Sequence, residues 1–228
     1  MIEMWELTGK DDRRYSTFSW RTRMALRHKQ VDVQYRPVHL KDKASIEFSG
    51  GTTVPVIRDG ESVVRDSWAI AEHLEQRYPE RPSLFGGDVG HGLARLVNNW
   101  VDRTVLAAAF PLIACHALSV QHPEDSIHFA SLIERLTGLA PAALMAEEKR
   151  HRERLNKVVD PARATLKRQA FLSGSTPAYA DYVLFSVYQW ARVASPLELL
   201  AEDPVLRRWF DALLDLHDGY ARATPVYA

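Results

Sequence analysis

The spacing of apolar residues divides the first eighty positions into short strands and two helices. Helical spacing covers Phe18–Lys29 and Asp66–Tyr78, and the dipeptide Asp59-Gly60 is typical of a hairpin turn. The strand order predicts a parallel βαβ unit followed by a ββα unit, with helices layered on a mixed sheet. The predicted strands are Ile2–Leu7, Val31–Leu40, Val54–Arg58 and Ser62–Arg65.

The rest of the chain shows helical patterns that are separated by Pro, Gly or Ser. The segment Pro79–Gly90 is rich in Pro and Gly, which is typical of a linker. We therefore predict an α/β domain over residues 1–82, a linker over 83–90 and an all-α domain over 91–228. The predicted helices of the last domain are Gly92–Leu118, Ser126–Thr137, Pro141–Asp160, Pro161–Ala170, Ala180–Ala194 and Pro204–Ala221.

Charge and cysteine content narrow the class of protein. The 29 basic residues balance the 29 acidic residues, which argues against a nucleic-acid-binding protein. Cys115 is the single cysteine, so no intramolecular disulfide forms, which fits a reducing compartment. The N-terminal residues lack the pattern of a signal peptide, and the apolar run Val105–Leu118 is too short to span a bilayer. We expect a cytoplasmic protein with no membrane partner.

Ser16 stands where the first helix begins, and it fits two roles. Serine is favoured at a helix N-cap, where its oxygen accepts a backbone hydrogen bond. A helix N-terminus also offers free N–H groups and partial positive charge, so a hydroxyl there can donate to a bound thiolate. Ser16 alone does not decide between capping and thiol activation, and Ser19 is a second candidate hydroxyl.

Two further segments in the first domain each fit a structural and a functional role. Pro55 in Thr53-Val54-Pro55 marks a strand edge, or else forms a cis bond that exposes the Val54 backbone to an extended peptide ligand. Asp66-Ser67 caps the next helix, or else forms a cradle. In the cradle, Ser67 and its N–H bind a carboxylate, and Asp66 pairs with an ammonium group.

These elements, in this order, resemble the glutathione transferase superfamily. Its signature is a Ser, Tyr or Cys at the first turn, a Val-Pro before the third strand and an acidic residue followed by Ser before the third helix. Here they stand as Ser16, Val54-Pro55 and Asp66-Ser67, and Phe171–Gly174 with Tyr179-Ala180-Asp181 resembles the family's buried helix start. The resemblance covers essentially the whole chain. It implies a thioredoxin-like N-terminal domain and a helical C-terminal domain, of the serine type.

The resemblance also implies roles for individual residues. Ser16 would activate the thiol of glutathione, the co-substrate, and Val54 would pair with its cysteinyl backbone. Asp66 and Ser67 would hold its γ-glutamyl end, and Lys41 or Lys43 would meet its glycine carboxylate. The implied glutathione-binding residues are Lys41, Thr53, Val54, Pro55, Asp66 and Ser67.

The second substrate implied by the resemblance is a small apolar electrophile, bound between the domains. Phe18, Trp100, Phe110 and His116 are candidates for lining its pocket, although such residues more often serve simple core packing. The resemblance further implies a homodimer and a role in detoxification.

A closer resemblance is to the bacterial β-etherases that cleave lignin-type aryl ethers, and to their fungal relatives. It rests on Ser16–Thr22, Val64–Leu74 and Tyr78–Pro82. In that group a Pro commonly follows the Ser, whereas this chain has Thr17. A second departure is Ala178, which stands where the family has a Ser or Thr that completes a capping box.

Other chemistries lack their motifs. The nine histidines show no spacing typical of a zinc site, so we expect no metal. The first turn has no Cys-x-x-Cys, and no Gly-x-Ser-x-Gly or phosphate-binding glycine motif occurs. Two alternatives to a transferase stay open: a non-catalytic glutathione-fold protein that binds ligands or acts as a scaffold, and a glutathione-dependent isomerase or dehalogenase.

Overall fold

The structure, a computed structural model, describes residues 1–227 and contains a four-stranded mixed sheet. The strand order is β2-β1-β3-β4. β1 pairs in parallel with β2, and β3 pairs antiparallel with both β1 and β4. Pro37 is tolerated within β2 because β2 is an outer strand, with β1 as its one neighbour in the sheet. The strands are β1 Ile2–Leu7, β2 Val33–Val38, β3 Val56–Asp59 and β4 Ser62–Arg65.

Two α-helices belong to the sheet region, and nine follow it among the described residues. The first two are α1 Thr17–His28 and α2 Ser67–Arg77. The predicted fold class, a thioredoxin-like domain followed by a helical domain, is confirmed. The later helices are α3 Asp88–Trp100, α4 Leu106–Ala117, α5 Pro123–Thr137, α6 Pro141–Ala146, α7 Glu148–Val158, α8 Asp160–Leu166, α9 Tyr179–Ala194, α10 Pro204–Leu214 and α11 Leu216–Gly219.

Several helix boundaries differ from the sequence-based prediction, and three of them follow from the backbone conformation. α3 begins at Asp88, directly after Gly87 with its left-handed φ of 102°, and so within the predicted linker. The predicted helix 141–160 divides into α6 and α7 because Glu147 (φ −101°, ψ 17°) leaves the helical region. The last predicted helix stops at Leu214, since His217 and Asp218 adopt positive φ.

α3 and α4 form one continuous helix from Asp88 to Val120, joined by a π-helical turn at Val101–Val105. This helix is longer than the apolar run Val105–Leu118, whose length alone predicts no membrane-spanning segment. By its own length and hydropathy the helix could cross a bilayer. Half of the most apolar 18-residue segment of this helix is buried. It packs against α5, α6, α7 and α9, which is the environment of a core helix.

α9 is the centre of the molecule, since 15 of its 16 residues are buried and it packs against α1, α3 and α4. Asp181 in its first turn accepts hydrogen bonds from the N–H groups of Leu172, Ser173 and Ala178 and from Nε1 of Trp209, at 2.7–3.2 Å. Burial raises the pKa of Asp181, and these donors act against that shift. Half of the capping box is therefore present despite Ala178.

Glu75 of α2 fixes the segment that joins the two regions. Its Oε2 lies 2.6 Å from Nζ of the fully buried Lys29 and accepts the Leu84 N–H at 2.9 Å, while Ser83 Oγ donates to Oε1. The carbonyl of Leu84 in turn accepts the N–H of Tyr179 at 3.0 Å. The segment at 83–84 is thus hydrogen-bonded on one side to α2 and on the other to α9.

The Glu75 contacts predict a pH dependence of stability. Burial opposes ionisation of Glu75, but its hydrogen bonds from Lys29, Ser83 and Leu84 outweigh this and lower its pKa. A carboxyl whose pKa is lowered in the folded state stabilises the protein at pH values above the pKa that the same carboxyl has in the unfolded chain, about 4.3. This contribution is lost as the pH falls through the pKa of the folded state. We expect Glu75→Gln to lower the free energy of unfolding at pH 7 and to flatten its decline in acid, as measured by urea unfolding.

The matched control for this prediction is Glu80→Gln, which changes an exposed glutamate beyond the end of α2. It should retain both the stability and the acid slope of the unaltered chain. If Glu75→Gln showed the same acid slope as the unaltered chain, Glu75 would not be the linked group.

Candidate functional site

The strand pairing brings all the predicted site residues to one edge of the sheet. Val56 pairs with Trp5 on β1 and with Arg65 on β4, so the end of β1, the start of β3 and the end of β4 lie side by side. β2 runs parallel to β1 and ends at the same edge. The segments that leave this edge carry Ser16, Lys41, Val54-Pro55 and Asp66-Ser67.

Ser16 is the N-cap of α1, with extended backbone and a side-chain oxygen that accepts the Ser19 N–H at 3.2 Å. Because this bond uses the oxygen as an acceptor, the hydroxyl hydrogen stays available to a ligand. Ser16 is half-buried at the positive end of a 12-residue helix. The predicted capping role is therefore present and is compatible with donation to a thiolate.

Ser19 differs from Ser16 in access. It is only 1% exposed, and its Oγ is buried without a hydrogen-bond partner among residues 1–227. Of the two serines, only Ser16 is partly open to solvent.

The loop before Ser16 packs tightly on the helical region. A Cβ at Gly9 would overlap the carbonyl oxygen of Val120, so this close approach requires glycine. The buried Tyr15 hydroxyl donates to Gln121 Oε1 at 2.6 Å. These contacts fix the loop that leads from β1 into the first turn of α1.

The Val54–Pro55 peptide bond is cis, and Pro55 is buried directly before β3. Val54 is half-buried and Thr53 is exposed. Within residues 1–227, neither the N–H nor the C=O of Val54 takes part in a hydrogen bond. An extended peptide placed at this edge would find one free donor and one free acceptor.

Asp66 caps α2 with an unusual backbone conformation. Its Oδ1 accepts the N–H groups of Trp68 at 2.9 Å and Ala69 at 3.1 Å, while its φ is 74° and its ψ is 132°. Non-glycine residues rarely adopt such a φ, and strained backbone is concentrated at ligand sites. Ser67 is 2% exposed, and its carbonyl accepts the Tyr179 hydroxyl at 2.9 Å. The start of α2 is thus tied to α9.

Lys41 lies in the loop after β2, and its side chain is exposed. The buried Asp125 of α5 accepts the backbone N–H groups of Leu40 at 3.0 Å and Lys41 at 3.1 Å. Lys43 is also exposed, at the start of a short 3₁₀ helix. The backbone of Lys41 is thus held to the helical domain by a buried carboxylate.

Arg21 holds α1 against the long helix, and sequence reasoning missed this role. It is 1% exposed, and its Nη2 lies 2.6 Å from Asp102 Oδ1. Its other donors reach Asn98 and Ser186, and its guanidinium lies over the Phe18 ring at 4.8 Å. The sequence does contain a signal for this role, because Arg21 stands between Trp20 and Thr22 on a helix face whose other residues are mostly apolar.

The residues predicted for an electrophile pocket are separated in the structure. Phe110 lines a cavity of about 670 Å³ between the long helix and α5–α7, together with Asp102, Leu106, Leu144, His151 and Arg154. Phe18, Trp100 and His116 are not among the residues that line it. Cys115 is buried, and burial raises the pKa of its thiol, which suits an inert core residue.

One further cluster forms only in three dimensions. His39, His122 and Glu124 bring one potential metal-ligating atom each to within 4.8 Å of one another. Our expectation of no metal site rested on spacing along the chain. His39 and Glu124 are 85 positions apart, so spacing gave no signal for this cluster.

Profiles of known families match both regions of the chain. The glutathione S-transferase N-terminal domain matches residues 12–82, and the glutathione S-transferase C-terminal domain matches residues 92–211. The second match alone covers more than half of the sequence.

The chain belongs to the glutathione S-transferase family.

Two curated relatives match this family member over shorter segments. A zeta-class glutathione S-transferase of Euphorbia esula is 42% identical over 74 residues, which are 30% of this chain and 33% of the relative. Maleylacetoacetate isomerase of Dictyostelium discoideum is 33% identical over 87 residues, which are 35% of this chain and 40% of the relative. The matches thus span about a third of the length of these relatives.

The fold of this family member is also found in solved structures. A glutathione S-transferase of Ceriporiopsis subvermispora, crystallised in complex with glutathione, superimposes with a TM-score of 0.77. The match covers 97% of this chain and 93% of the other, at 20% sequence identity. At this identity the likeness establishes the shared fold.

The contacts of Arg21 predict a large effect on stability. Arg21→Ala removes a buried cation and its bonds to Asn98 and Asp102, which keep their bond to each other, and Asp102 is about a third exposed and can be hydrated. We expect a loss of about 2–4 kcal/mol in the free energy of unfolding, measured by denaturant titration. Arg27→Ala, an exposed change on the same helix, should cost about 1 kcal/mol or less. Equal losses in the two variants would contradict the anchoring role.

Proposed function

We propose that the protein is a glutathione-dependent transferase in which Ser16 ionises the thiol of glutathione. The observation that carries this proposal is the position of Ser16. Its hydroxyl caps α1 at the same sheet edge as the unpaired Val54 backbone and the Asp66-Ser67 helix start. Membership of the glutathione S-transferase family supports glutathione as the co-substrate.

The free energies of the groups at Ser16 suffice for this activation. A free thiol has a pKa of about 8.5, and lowering it by two units requires about 2.7 kcal/mol. A hydrogen bond to a charged group contributes about 1.5–3 kcal/mol. The helix N-terminus adds about 0.3–1 kcal/mol. Together they make a bound thiol mostly ionised at neutral pH, and the thiolate is the reactive nucleophile.

The other site residues would hold the two ends and the middle of glutathione. The free N–H and C=O of Val54, next to Thr53 and Pro55, would pair with the cysteinyl backbone. Asp66 uses Oδ1 for capping, which leaves Oδ2 for the γ-glutamyl ammonium, while the helix start at Ser67 favours the carboxylate. Lys41 would meet the glycine carboxylate from the loop that Asp125 fixes.

We assign a small apolar electrophile as the second substrate, and the sequence resemblance to β-etherases favours an aryl ether. In that reaction the thiolate sulfur bonds to the carbon next to a ketone. The bond between that carbon and the ether oxygen breaks, and the phenolate leaves with the electron pair. Such a role is consistent with detoxification in a reducing compartment such as the cytoplasm.

A glutathione-dependent isomerase is the second candidate, because two of the relatives carry the names zeta-class transferase and maleylacetoacetate isomerase. The same thiolate at Ser16 would add to a conjugated double bond and leave again after rotation, so that glutathione is not consumed. Binding of glutathione without turnover of any electrophile would instead favour a non-catalytic ligand carrier or scaffold.

The first prediction from this proposal concerns Ser16. Ser16→Ala removes the proposed donor, and we expect kcat/KM for conjugation to fall at least tenfold, which corresponds to about 1.4 kcal/mol. The pH titration of the bound thiol, followed by thiolate absorbance, should shift to higher pH by about one unit or more. A merely structural cap would lower stability without shifting this titration.

Ser19→Ala is the matched control, because it removes a buried and unpartnered hydroxyl from the same turn. It should keep both the thiol titration and the turnover of the unaltered protein.

Millimolar glutathione should raise the Tm of the unaltered chain. A panel of aryl ethers, aryl halides and conjugated cis-alkenes would then separate the candidate reactions. An unchanged thiol titration in Ser16→Ala would refute activation by this residue, and an unchanged Tm would count against the glutathione site itself.

We also propose a homodimer, on the basis of an exposed apolar face on α3. Val89, Leu93 and Leu96 follow helical spacing and are 78%, 59% and 65% exposed. Exposed apolar stripes of this kind commonly mark protein interfaces. A second copy of the chain would cover this stripe about a two-fold axis.

Leu93→Glu should convert the dimer into a monomer, since it places a charge at the centre of the stripe, and light scattering coupled to gel filtration measures the mass. Ile127→Glu is the matched control, because Ile127 on α5 is similar in size to leucine and 83% exposed, and it should leave the mass unchanged. A monomeric mass for the unaltered chain, or a dimeric mass for Leu93→Glu, would overturn the proposed interface.

A further inference from the structure

Two imidazoles and a carboxylate meet where the loop after β2 contacts the first turn of α5. His39 Nδ1 lies 3.2 Å from Glu124 Oε1. The rings of His39 and His122 stack with centroids 3.8 Å apart and 10° between their planes. These three side chains, the His39 cluster, lie outside the set of residues proposed to bind glutathione.

The backbone on both sides of the His39 cluster is fixed by other groups. Asp125 is 1% exposed and binds the N–H groups of Leu40 and Lys41, next to His39. On the α5 side, the Asp125 N–H donates to the His122 carbonyl at 2.9 Å, and Pro123 occupies the first helical position. The contacts that position this backbone are therefore made by Asp125 and the main chain, and not by the nitrogen and oxygen atoms that would bind a metal.

His122 carries an unsatisfied polar atom. Its Nε2 is buried and has no hydrogen-bond partner among residues 1–227. A buried nitrogen without a partner is unfavourable, and neutral imidazole is the commonest metal ligand in proteins. A metal ion would supply the missing partner without requiring another side chain.

We propose that His39, His122 and Glu124 bind a divalent transition metal, with Zn²⁺ as the preferred ion. Two histidines and a glutamate form a known zinc donor set, and three protein ligands leave a fourth position for water. The mixture of nitrogen and oxygen ligands disfavours Ca²⁺ and Mg²⁺, which take oxygen ligands.

Metal binding requires a small rearrangement of the cluster. Zinc–nitrogen bonds of about 2.0–2.1 Å in tetrahedral geometry place ligand atoms about 3.3–3.4 Å apart, compared with up to 4.8 Å here. The lone pairs of two stacked rings lie in nearly parallel planes, so one ring must also turn for both to converge on the ion. The side chains of His39 and Glu124 are 42% and 58% exposed, so both can move toward the more buried His122.

The bound ion would link two separate parts of the fold. His39 belongs to the loop of the sheet region that carries Lys41, and His122 and Glu124 belong to the helical region. Zinc would therefore stabilise the folded chain by mass action and restrict the Lys41 loop. This effect on stability does not depend on the proposed glutathione chemistry.

The test is thermal unfolding of the full chain with and without ZnCl₂ in a buffer free of chelators. At zinc concentrations about 100 times Kd, we expect Tm to rise by about 5–10 °C, and EDTA should reverse the rise. Equilibrium dialysis should give one zinc ion per chain. Co²⁺ should produce the intense visible absorption typical of tetrahedral coordination, which reports the ligand geometry without any enzymatic assay.

Variants assign the ligands. The double variant His39→Ala/His122→Ala should lose both the Tm rise and the Co²⁺ absorption, and the surface change Glu124→Gln should weaken zinc binding at least tenfold. His128→Ala, at an exposed histidine on the same helix, is the matched control and should respond to zinc like the unaltered chain. The proposal is overturned if the unaltered chain shows neither response, or if the double variant retains the Tm rise.

Discussion

The position of α1 depends on the ion pair between the buried Arg21 and the partly exposed Asp102. α1 packs against α9 and is hydrogen-bonded to β1 through Arg23 and Glu6. Arg21 joins it to the long helix through Asp102 and Asn98. Ser16 caps the same helix, five residues before Arg21. Because a helix is stiff over this distance, the contact that fixes Arg21 also fixes the direction of the N-terminal turn and its free N–H groups.

Two other fully buried charges, Glu6 and Lys29, are likewise paired, and the pairs join different segments of the chain. Glu6 is fully buried on β1 and accepts bonds from Arg14 and Arg23. Lys29 is fully buried against Glu75. Since an unpaired charge in the interior is costly, each pair strongly favours one arrangement of the elements that carry it. The loop before Ser16, the helix α1 and the helix α2 are thereby held relative to one another.

Carboxylates that accept backbone N–H groups fix the irregular segments in a similar way. Asp66 holds the start of α2, Asp125 holds the loop at Leu40 and Lys41, and Asp181 holds the turn before α9. Loops carry donors that no helix or strand satisfies, so a buried carboxylate with two or more acceptor positions determines their shape. The glutathione site proposed here and the His39 cluster both lie on segments fixed by such carboxylates.

The sequence by itself determined the order of the strands and helices of the sheet region, the cap at Ser16 and the helix start at Asp66, because these depend on local spacing and local hydrogen bonds. Only the tertiary structure decided which distant residues meet, as with Arg21 and Asp102, Asp125 and the Lys41 backbone, or His39 and His122. Local patterns carry no information on such contacts, since these arise when packing buries charged and polar groups that must then find partners across the fold.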